Sequence, residues 1–391
     1  MNVLILGKDQ RLFADRPVAF GDTRARHVAY AQALERLAPG SSVRVVSRGV
    51  AGLPADGVIL AANLRCFGTR SPSRWRFFLD LPEAVGRALA DDWRPDVVTA
   101  QEPWEDGTYG LWLARRLGAR FLAQFHFDPF ALAWRAEHWL NPVKFRLAMA
   151  AARRADGIRV VASATREQFR RHGIVADKVR VVPVGIAYSP VSEGDRARWK
   201  HQVFPQWTDK QVVLFVGGFF PPKDLATWVK AAHLLARQRP DVVFALVGDG
   251  PAMAAVRRQV EEVGLADRVA FPGAVSFDML APYYAAADVF MLSSNYEAWG
   301  RVIVEAQLSG CPVVSTCASG PLDLIRHGET GMLAPIGDPA GLAAGVAALL
   351  DDDALRDELA ASARAEAGRR FSMERLAEGI ARFWLDLPPA D

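Results

Sequence analysis

Short apolar runs and amphipathic stretches alternate along both halves of the chain. "NVLIL" near the start has the length of a buried strand, and "TRARHVAYAQALERLA" after it has the apolar spacing of a helix. The alternation returns after residue 210, with "QVVLFVGG", "LATWVKAAHLLARQ", "VVFALVGDG" and, further on, "PVVST". Strands that alternate with helices predict βαβ units and a parallel sheet. We therefore expect an α/β protein with two doubly wound, Rossmann-like domains.

The stretch 188–210 breaks this rhythm with polar residues, prolines and a glycine, and it could hold an interdomain linker. We place an N-terminal domain at 1–190 and a C-terminal domain at 191–370. The last segment, 371–391, contains the amphipathic "SMERLAEGIARFWLDL" and is expected to be a helix that crosses back to the first domain. Ligands of doubly wound sheets bind at the carboxyl ends of the strands. Two such domains facing each other across a cleft would bury a ligand between them.

Charge is distributed unevenly along the chain. The net charge is only +3, which gives no reason to expect nucleic-acid binding, but residues 1–200 carry +11 and the remainder −8. This asymmetry predicts that the first half meets an anionic ligand or surface.

Three features bear on location. The three cysteines, Cys66, Cys311 and Cys317, are too few for a disulfide framework, which fits a reducing cytoplasm. Cys311 and Cys317 have no partner at metal-ligand spacing, so we expect these two to be core thiols. The first residues lack the basic region of a signal peptide. No apolar run reaches the roughly 18 residues that a membrane span needs. A cytoplasmic protein is therefore expected.

Two carboxylates lie eight residues apart in "NYEAWGRVIVEAQLSG", residues 295–310. Glu297 follows a buried strand pattern, and Glu305 is expected about two turns into the next helix, where its side chain can still face a cleft. Gly300 allows close approach of the backbone to a ligand, and the amides near Trp299 form an anion site at the start of the helix. Such a set suits a nucleotide sugar. The alternative is that Glu297 is an exposed loop charge and Glu305 a solvated helix residue.

A lysine follows the first strand of the second half. "VLFVGGFFPPKDLATWVKAA" places Gly217, Gly218 and Lys223 between a strand and a helix, where a lysine can neutralise a diphosphate as a point charge. The alternative is a surface lysine beside a proline turn. "LVGDGP" is not the G-x-G-x-x-G fingerprint of dinucleotide enzymes, because Met253 occupies the third glycine position, and this disfavours an oxidoreductase.

With these residues the sequence resembles the retaining glycosyltransferases of the GT-B fold, family 4, also called group 1. The resemblance covers nearly the whole chain and is strongest from "VLFVGG" to "PVVST". It implies transfer of a sugar from a nucleotide diphosphate sugar to a hydroxyl acceptor with retention of configuration. A lipid-linked glycan or a polysaccharide precursor is the kind of acceptor that the resemblance suggests.

The resemblance also implies roles for single residues. Glu297 would hold hydroxyls of the donor sugar beside the reacting carbon, and His126, in "FHFD", matches a histidine that faces the same sugar. The remaining donor-binding positions are Glu305 for the ribose, Lys223 for the diphosphate, and Gly217, Gly218, Trp299 and Gly300 in the surrounding backbone. The family often has an arginine where this chain has Gly218, so one of two usual diphosphate cations is missing. The polar segment "TAQEPWEDGTYG", residues 99–110, is expected to line the cleft.

Residues 130–154 interleave aromatic and basic side chains. The aromatic ones are Trp134, Trp139 and Phe145, and the basic ones are Arg135, Lys144, Arg146, Arg153 and Arg154. This composition suits a helix at the surface of an anionic membrane, and so a peripheral protein on the inner face of the membrane. The alternative is an ordinary domain helix with its aromatic residues in the core.

No metal or cofactor is expected, because no D-x-D pair follows a strand and the nucleotide sugar is a substrate. The acidic run Asp351–Asp353 precedes a helix and is predicted to be a cap. Two other functions remain open at this point. One is a sugar-nucleotide epimerase on the same fold, and the other is a non-catalytic protein that binds a nucleotide sugar.

Overall fold

The computed structural model describes residues 1–13, 22–50, 52–73, 76–191 and 196–388. The chain divides into two compact units. Unit 1 comprises Met1–Phe130, His138–Ala187 and Ser372–Asp391, and unit 2 comprises Ala131–Glu137 and Tyr188–Phe371.

Unit 1 is built on an eight-stranded sheet with the order β3-β4-β2-β1-β5-β6-β7-β8. All pairs are parallel except β3 with β4 at the edge. The strands are β1 (Asn2–Leu6), β2 (Ser42–Ser47), β3 (Val58–Ala61), β4 (Leu64–Gly68), β5 (Val97–Ala100), β6 (Arg120–Phe125), β7 (Gly157–Val160) and β8 (Val179–Val181). The helices of this unit are α1 (Thr23–Leu37), α2 (Phe77–Ala88), α3 (Glu105–Leu117), α5 (Asn141–Arg154), α6 (Ser163–Arg171) and α15 (Met373–Leu385).

Unit 2 is built on a six-stranded parallel sheet with the order β11-β10-β9-β12-β13-β14. The strands are β9 (Gln211–Val216), β10 (Val242–Val247), β11 (Val269–Gly273), β12 (Val289–Leu292), β13 (Val313–Thr316) and β14 (Met332–Ala334). The helices are α4 (Leu132–Glu137), α7 (Arg196–Val203), α8 (Leu225–Gln238), α9 (Met253–Glu262), α10 (Ala281–Ala286), α11 (Arg301–Leu308), α12 (Pro321–Leu324), α13 (Pro339–Asp351) and α14 (Asp353–Arg370).

The apolar runs of the sequence become strands that are covered on both faces. Every residue of β10 and of β12 is buried, as expected for central strands of a parallel sheet. Trp228 of α8 is fully buried against them, and its indole N–H donates to the carbonyl of Met291 at 2.9 Å. The prediction of two doubly wound α/β sheets is confirmed.

In each sheet the strand order reverses at the first strand, because the chain crosses from one side of that strand to the other. In unit 2 the chain moves outward from β9 to β11 and then returns to place β12 on the other side of β9. In unit 1 the reversal lies between β1 and β5. The loops that follow the two strands at a reversal diverge and leave a crevice, which is where doubly wound sheets bind ligands. The two reversals therefore mark where functional side chains are expected.

Helix α15 completes unit 1 although it comes last in the chain. Ile380 and Trp384 are fully buried, and the ring of Trp384 meets that of Tyr30 on α1 edge to face at 6.1 Å. A β-bridge pairs Ile186 with Ser372 just before this helix. The core on this side of the sheet therefore depends on residues from both ends of the chain.

The single helix expected over 130–154 is wrong. The segment forms α4 and α5, which are assigned to different units, with a turn at His138 between them. Pro142 lies in the first turn of α5, where the missing N–H costs no helical hydrogen bond and where helices commonly begin. Trp134 is buried and Phe145 packs on the core of unit 1, whereas Trp139 is 80% exposed. None of the helices in the described part of the chain is long and apolar enough to cross a membrane.

Candidate functional site

Lys223 and Glu297 come together at the β9/β12 reversal of unit 2. Lys223 ends a short 3-10 turn after β9, and Glu297 lies in the loop after β12. The lysine Nζ donates to Glu297 Oε2, and the two side chains are only 19% and 15% exposed. Ser293 ties the two loops by donating its hydroxyl to the Lys223 carbonyl at 2.8 Å. Glu297 is therefore not an exposed loop charge, and Lys223 belongs to a largely buried ion pair.

Helix α11 begins immediately after Glu297. Gly300 precedes it at φ +90°, in the left-handed region that favours glycine, and a Cβ there would lie 3.1 Å from Ile303 Cδ1. The first amides of a helix have no partner within the helix, and they carry the positive end of the helix dipole. This end of α11 can therefore receive an anion near Glu297.

Glu305 is buried in α11. It is the fifth residue of the helix, so it lies about one turn from the start and not two. Its side chain is almost inaccessible, and Tyr284 donates its hydroxyl to Glu305 Oε2 at 3.0 Å. Arg301 Nη2 lies 3.8 Å from the other oxygen, Oε1. The alternative of a solvated helix residue is wrong, because the carboxylate faces the interior of unit 2.

The other predicted donor-binding positions lie in the same two loops, after β9 and after β12. A Cβ on Gly217 would lie 3.7 Å from Lys223 Cε. The phenyl ring of Phe220 covers Gly218, and a Cβ on Gly218 would lie 2.6 Å from a carbon of that ring. The indole of Trp299 packs edge to face on Phe371, with ring centroids 5.1 Å apart. Trp299 can therefore serve a donor through its backbone amide more readily than through its ring.

His126 lies in unit 1, directly after β6, and is half-buried. Burial, with the positive charges of Arg159 and Arg26 nearby, holds the pKa of His126 well below its ordinary value of 6.5. The imidazole is therefore neutral at physiological pH and can both donate and accept a hydrogen bond. Asp128 shapes the turn that follows, since its Oδ1 accepts from the amide of Phe130 at 2.9 Å.

The β1/β5 reversal of unit 1 holds a charged cluster that the sequence analysis missed. Lys8 follows β1, and its Nζ lies 3.2 Å from Glu102, 2.5 Å from Glu105 and 3.5 Å from Asp106. Asp106 is fully buried, and burial raises the pKa of its carboxyl to about 7. The three carboxylates belong to the polar segment 99–110. A lysine in the loop after the first apolar strand of its half of the chain, as at Lys223, was the available signal.

A buried histidine was also missed. His27 Nδ1 lies 2.7 Å from the carbonyl of Thr23, so this nitrogen carries the proton, and Nε2 accepts from Gln101 Nε2 at 3.0 Å. Burial lowers the pKa of His27 to about 4 and keeps the ring neutral. A single histidine inside a helical pattern carries no sequence signal of this environment.

Across the described residues, no group of three or more His, Cys, Asp or Glu side chains could hold a metal ion. Asp352 accepts from the amide of Leu355 at 2.9 Å, which confirms the predicted cap of α14. Cys66 and Cys311 are free and buried, and burial raises the pKa of each thiol to about 12. Cys311 is therefore a core thiol, as predicted, whereas Cys317 is only partly buried and the core prediction for it is wrong.

Comparisons with known proteins agree with this geometry. The family model described as Glycosyltransferase Family 4 matches residues 26–189, and the model described as Glycosyl transferases group 1 matches residues 197–366. A 2-deoxystreptamine N-acetyl-D-glucosaminyltransferase from Niallia circulans is 33% identical over 41% of this chain and 42% of its own length. The chain spans about half the length of most of the curated relatives that it matches.

Solved structures match over the whole chain. Sucrose-phosphate synthase from Thermosynechococcus elongatus is 25% identical, with a TM-score of 0.81 over 99% of this chain and 98% of its own. The Anabaena HepE protein, solved with UDP-glucose, is 20% identical, with a TM-score of 0.76 over 99% and 100% of the two chains. The two family models, one on each half of the chain, and the GT-B structural neighbours support a group 1 glycosyltransferase.

Proposed function

We propose that the protein transfers a hexose-type sugar from a nucleoside diphosphate sugar to a hydroxyl acceptor, with retention of anomeric configuration. The observation that carries this proposal is the convergence of Lys223, Glu297 and the start of α11 at the strand-order reversal of unit 2, beside the buried Glu305. A cation and a helix N-terminus suit a diphosphate, and two carboxylates suit the hydroxyls of two sugars.

Each group has one task in this proposal. Lys223 and the first amides of α11 hold the diphosphate and stabilise the charge that grows on it as the sugar departs. Glu305 holds the ribose hydroxyls, and Glu297 holds hydroxyls of the donor sugar beside the reacting carbon. His126, a neutral imidazole, hydrogen-bonds the sugar or orients the acceptor. No metal is assigned a role.

The reaction breaks the bond between the anomeric carbon and the diphosphate oxygen and forms a bond from that carbon to the acceptor oxygen. Retention follows if the acceptor attacks on the face from which the diphosphate leaves. The acceptor proton then passes to the departing phosphate oxygen, which gains negative charge as the old bond breaks. The ion pair between Lys223 and Glu297 must loosen or be shared when the donor enters, because both partners are needed by the ligand.

Two relatives bear on the ligands. The Anabaena HepE structure contains UDP-glucose, which supports a nucleotide sugar donor here. The Niallia circulans relative is named as a 2-deoxystreptamine N-acetyl-D-glucosaminyltransferase. A saccharide acceptor is the corresponding proposal for this chain, and a lipid-linked glycan or polysaccharide precursor is its narrower form.

The test is a panel of UDP, GDP and ADP sugars, screened by thermal shift and then by turnover. A ligand at 100 times its Kd should stabilise the protein by about 2.7 kcal/mol. Glu305→Ala should raise the donor KM more than it lowers kcat, and Glu297→Gln should do the reverse, since contacts that strengthen in the transition state act on kcat. Binding with neither hydrolysis nor transfer would favour a non-catalytic binding protein, and an inverted product would overturn retention.

A second proposal concerns the membrane. On α5, the apolar Val143 and Leu147 are 50% and 42% exposed, and Trp139 is exposed just before this helix. Arg146 and Arg153 are exposed on the same side of the helix. Arg146 lies three residues after Val143, and Arg153 lies seven residues after Arg146. Apolar side chains flanked by arginines suit the surface of an anionic bilayer. We propose that α5 brings the enzyme to such a surface, where a lipid-linked acceptor would be found.

A further inference from the structure

Glu305 does not stand alone in the interior of unit 2. A buried carboxylate is costly unless hydrogen bonds satisfy it, so the position of its donors determines the position of the carboxylate. The hydroxyl of Tyr284 donates to Oε2 at 3.0 Å, whereas Arg301 is 3.8 Å from Oε1. The short contact from Tyr284 therefore holds Oε2, one of the two carboxylate oxygens, in place.

Tyr284 is itself rigidly held. Its side chain is fully buried in α10, with ring centroids 5.7 Å from Phe290 and 6.1 Å from Tyr188. Burial and the charge of Glu305 raise the pKa of the Tyr284 phenol well above its ordinary value of 10. The hydroxyl therefore stays protonated and donates to Glu305 across the physiological pH range.

The hydrogen bond joins two elements that the sequence separates. Tyr284 comes from α10, before β12, and Glu305 comes from α11, after it. Without this bond, the carboxylate would keep its place on α11 but would lose a short hydrogen bond that holds its side-chain orientation. Ribose binds more tightly when a carboxylate oxygen is already oriented toward its hydroxyls, because ordering the side chain during binding reduces the net affinity.

We propose that Tyr284 is a positioning residue that orients Glu305 and thereby sets the preference for a ribose that carries both hydroxyl groups. This inference rests on the proposed function, in which Glu305 binds the ribose of the donor. Tyr284 itself does not touch the nucleotide in this arrangement, and its effect passes through Oε2 of Glu305.

The test compares nucleotides with and without ribose hydroxyls. Binding of UDP, GDP and ADP, and of their 2′,3′-dideoxy counterparts, is measured by calorimetry on the wild type and on Tyr284→Phe. The phenylalanine keeps the ring and removes only the hydroxyl. Tyr283→Phe is the matched control, because Tyr283 is on the same helix and contacts Phe204.

The wild type should prefer the ribose form of its nucleotide by about tenfold or more, the factor expected when hydrogen bonds to a charged group are lost. In Tyr284→Phe the ratio of the affinity for the ribose form to the affinity for the dideoxy form should fall to about threefold or less. Affinity for the dideoxy form, and the ratio in Tyr283→Phe, should not change. Glu305→Gln should also reduce the ratio, and adding Tyr284→Phe to it should have little further effect.

The outcomes separate the two proposals. If the wild type binds none of the three nucleoside diphosphates, the proposed function fails, and this inference fails with it. If the wild type binds one but ignores its ribose hydroxyls, the role of Glu305 is overturned while the donor site remains. A Tyr284→Phe protein that keeps the full preference, or that loses affinity equally for both nucleotide forms, overturns the positioning role alone.

Discussion

Lys223 has two potential partners, and one of them is already in place. It pairs with Glu297, while Gly218 contributes no charge of its own. The lysine is therefore both the counter-ion of a carboxylate and the expected ligand of the diphosphate. Such a residue should affect both donor binding and the rate of transfer.

Lys223→Ala should weaken donor binding and lower kcat. The combined loss of transition-state stabilisation, read from kcat/KM, should be about 1.5–3 kcal/mol, the range for a lost charge-assisted contact. Steady-state kinetics with the donor found in the panel give both constants. Lys230→Ala, an exposed lysine on α8, is the matched control and should behave as wild type. Near wild-type turnover of Lys223→Ala would mean that another cation serves the diphosphate, and Arg301 is then the one to replace.

Asp106 should make stability depend on pH in an unusual direction. Its folded-state pKa of about 7 lies above the ordinary value of 3.8, so the folded protein holds the proton more tightly than the unfolded chain. The tighter binding of this proton stabilises the folded state fully below about pH 4, and this stabilisation is lost as the pH rises through 7. Asp106→Asn, which imitates the protonated form, should therefore gain stability relative to the wild type as the pH rises from 5 to 8.

Thermal melts of both proteins across that range measure the effect. Glu102→Gln removes a charge from the same cluster at an exposed position and should show much less change with pH. An Asp106→Asn protein whose melting temperature follows that of the wild type at every pH would contradict the assigned protonation.

Sequence could reveal some of these residues and not others. His126 directly follows an apolar strand, and Lys223 and Glu297 lie in the loops after two others. The carboxyl ends of such strands are where chemistry is expected, so these positions are readable from the pattern. The environments of Asp106, His27 and Tyr284 depend on packing between elements that are far apart in the chain. No local pattern records which side chain will close over them.

At the scale of elements, apolar runs gave the strands because a central parallel strand is buried on both faces and needs no polar alternation. The segment 130–154 was misread for a physical reason. Its aromatic and basic composition is continuous, but Pro142 and the turn at His138 divide it into α4 and α5. Composition reports which surface a segment prefers and does not report where the helix starts.

Helix α5 should bind anionic lipid through its exposed arginines. The purified protein should associate with vesicles that contain phosphatidylglycerol, and salt should weaken the association because exposed charges are screened. Replacing Arg153 and Arg154 with Glu should reduce vesicle binding in a sedimentation assay. The same charge reversal at Arg237 and Arg258, exposed on α8 and α9 in unit 2, is the control.

Equal binding to neutral and anionic vesicles, or an equal loss in the control protein, would return α5 to the alternative of an ordinary domain helix. Binding that the arginine pair governs would support a peripheral enzyme that meets its acceptor at the bilayer surface.

For the whole molecule, the division into units should be visible in unfolding. Trp384 of α15 is fully buried in unit 1, and replacing such a side chain with Ala typically costs about 3–5 kcal/mol. Trp384→Ala should therefore increase hydrogen exchange in β1 and β2 of unit 1 far more than in β9 and β10 of unit 2. Trp139→Ala, at an exposed tryptophan, should leave both units unchanged.

Equal acceleration of exchange in both units would show that they unfold as one cooperative body, and the division would then have no thermodynamic meaning. Protection lost only in unit 1 would show that its stability depends on the last helix of the chain.

The placement of α15 also has a consequence for synthesis. The strands of unit 1 are complete at β8, but the helix that covers Tyr30 is made only after the whole continuous segment of unit 2, Tyr188–Phe371. At translation rates of about 5–20 residues per second, the roughly 200 residues after Ala187 take on the order of 10–40 s to make. Throughout that time the nascent first unit exposes the apolar surface that Trp384 will bury. A chaperone that engages the growing chain would find its binding site there, and unit 2, although made second, would be the first to finish folding.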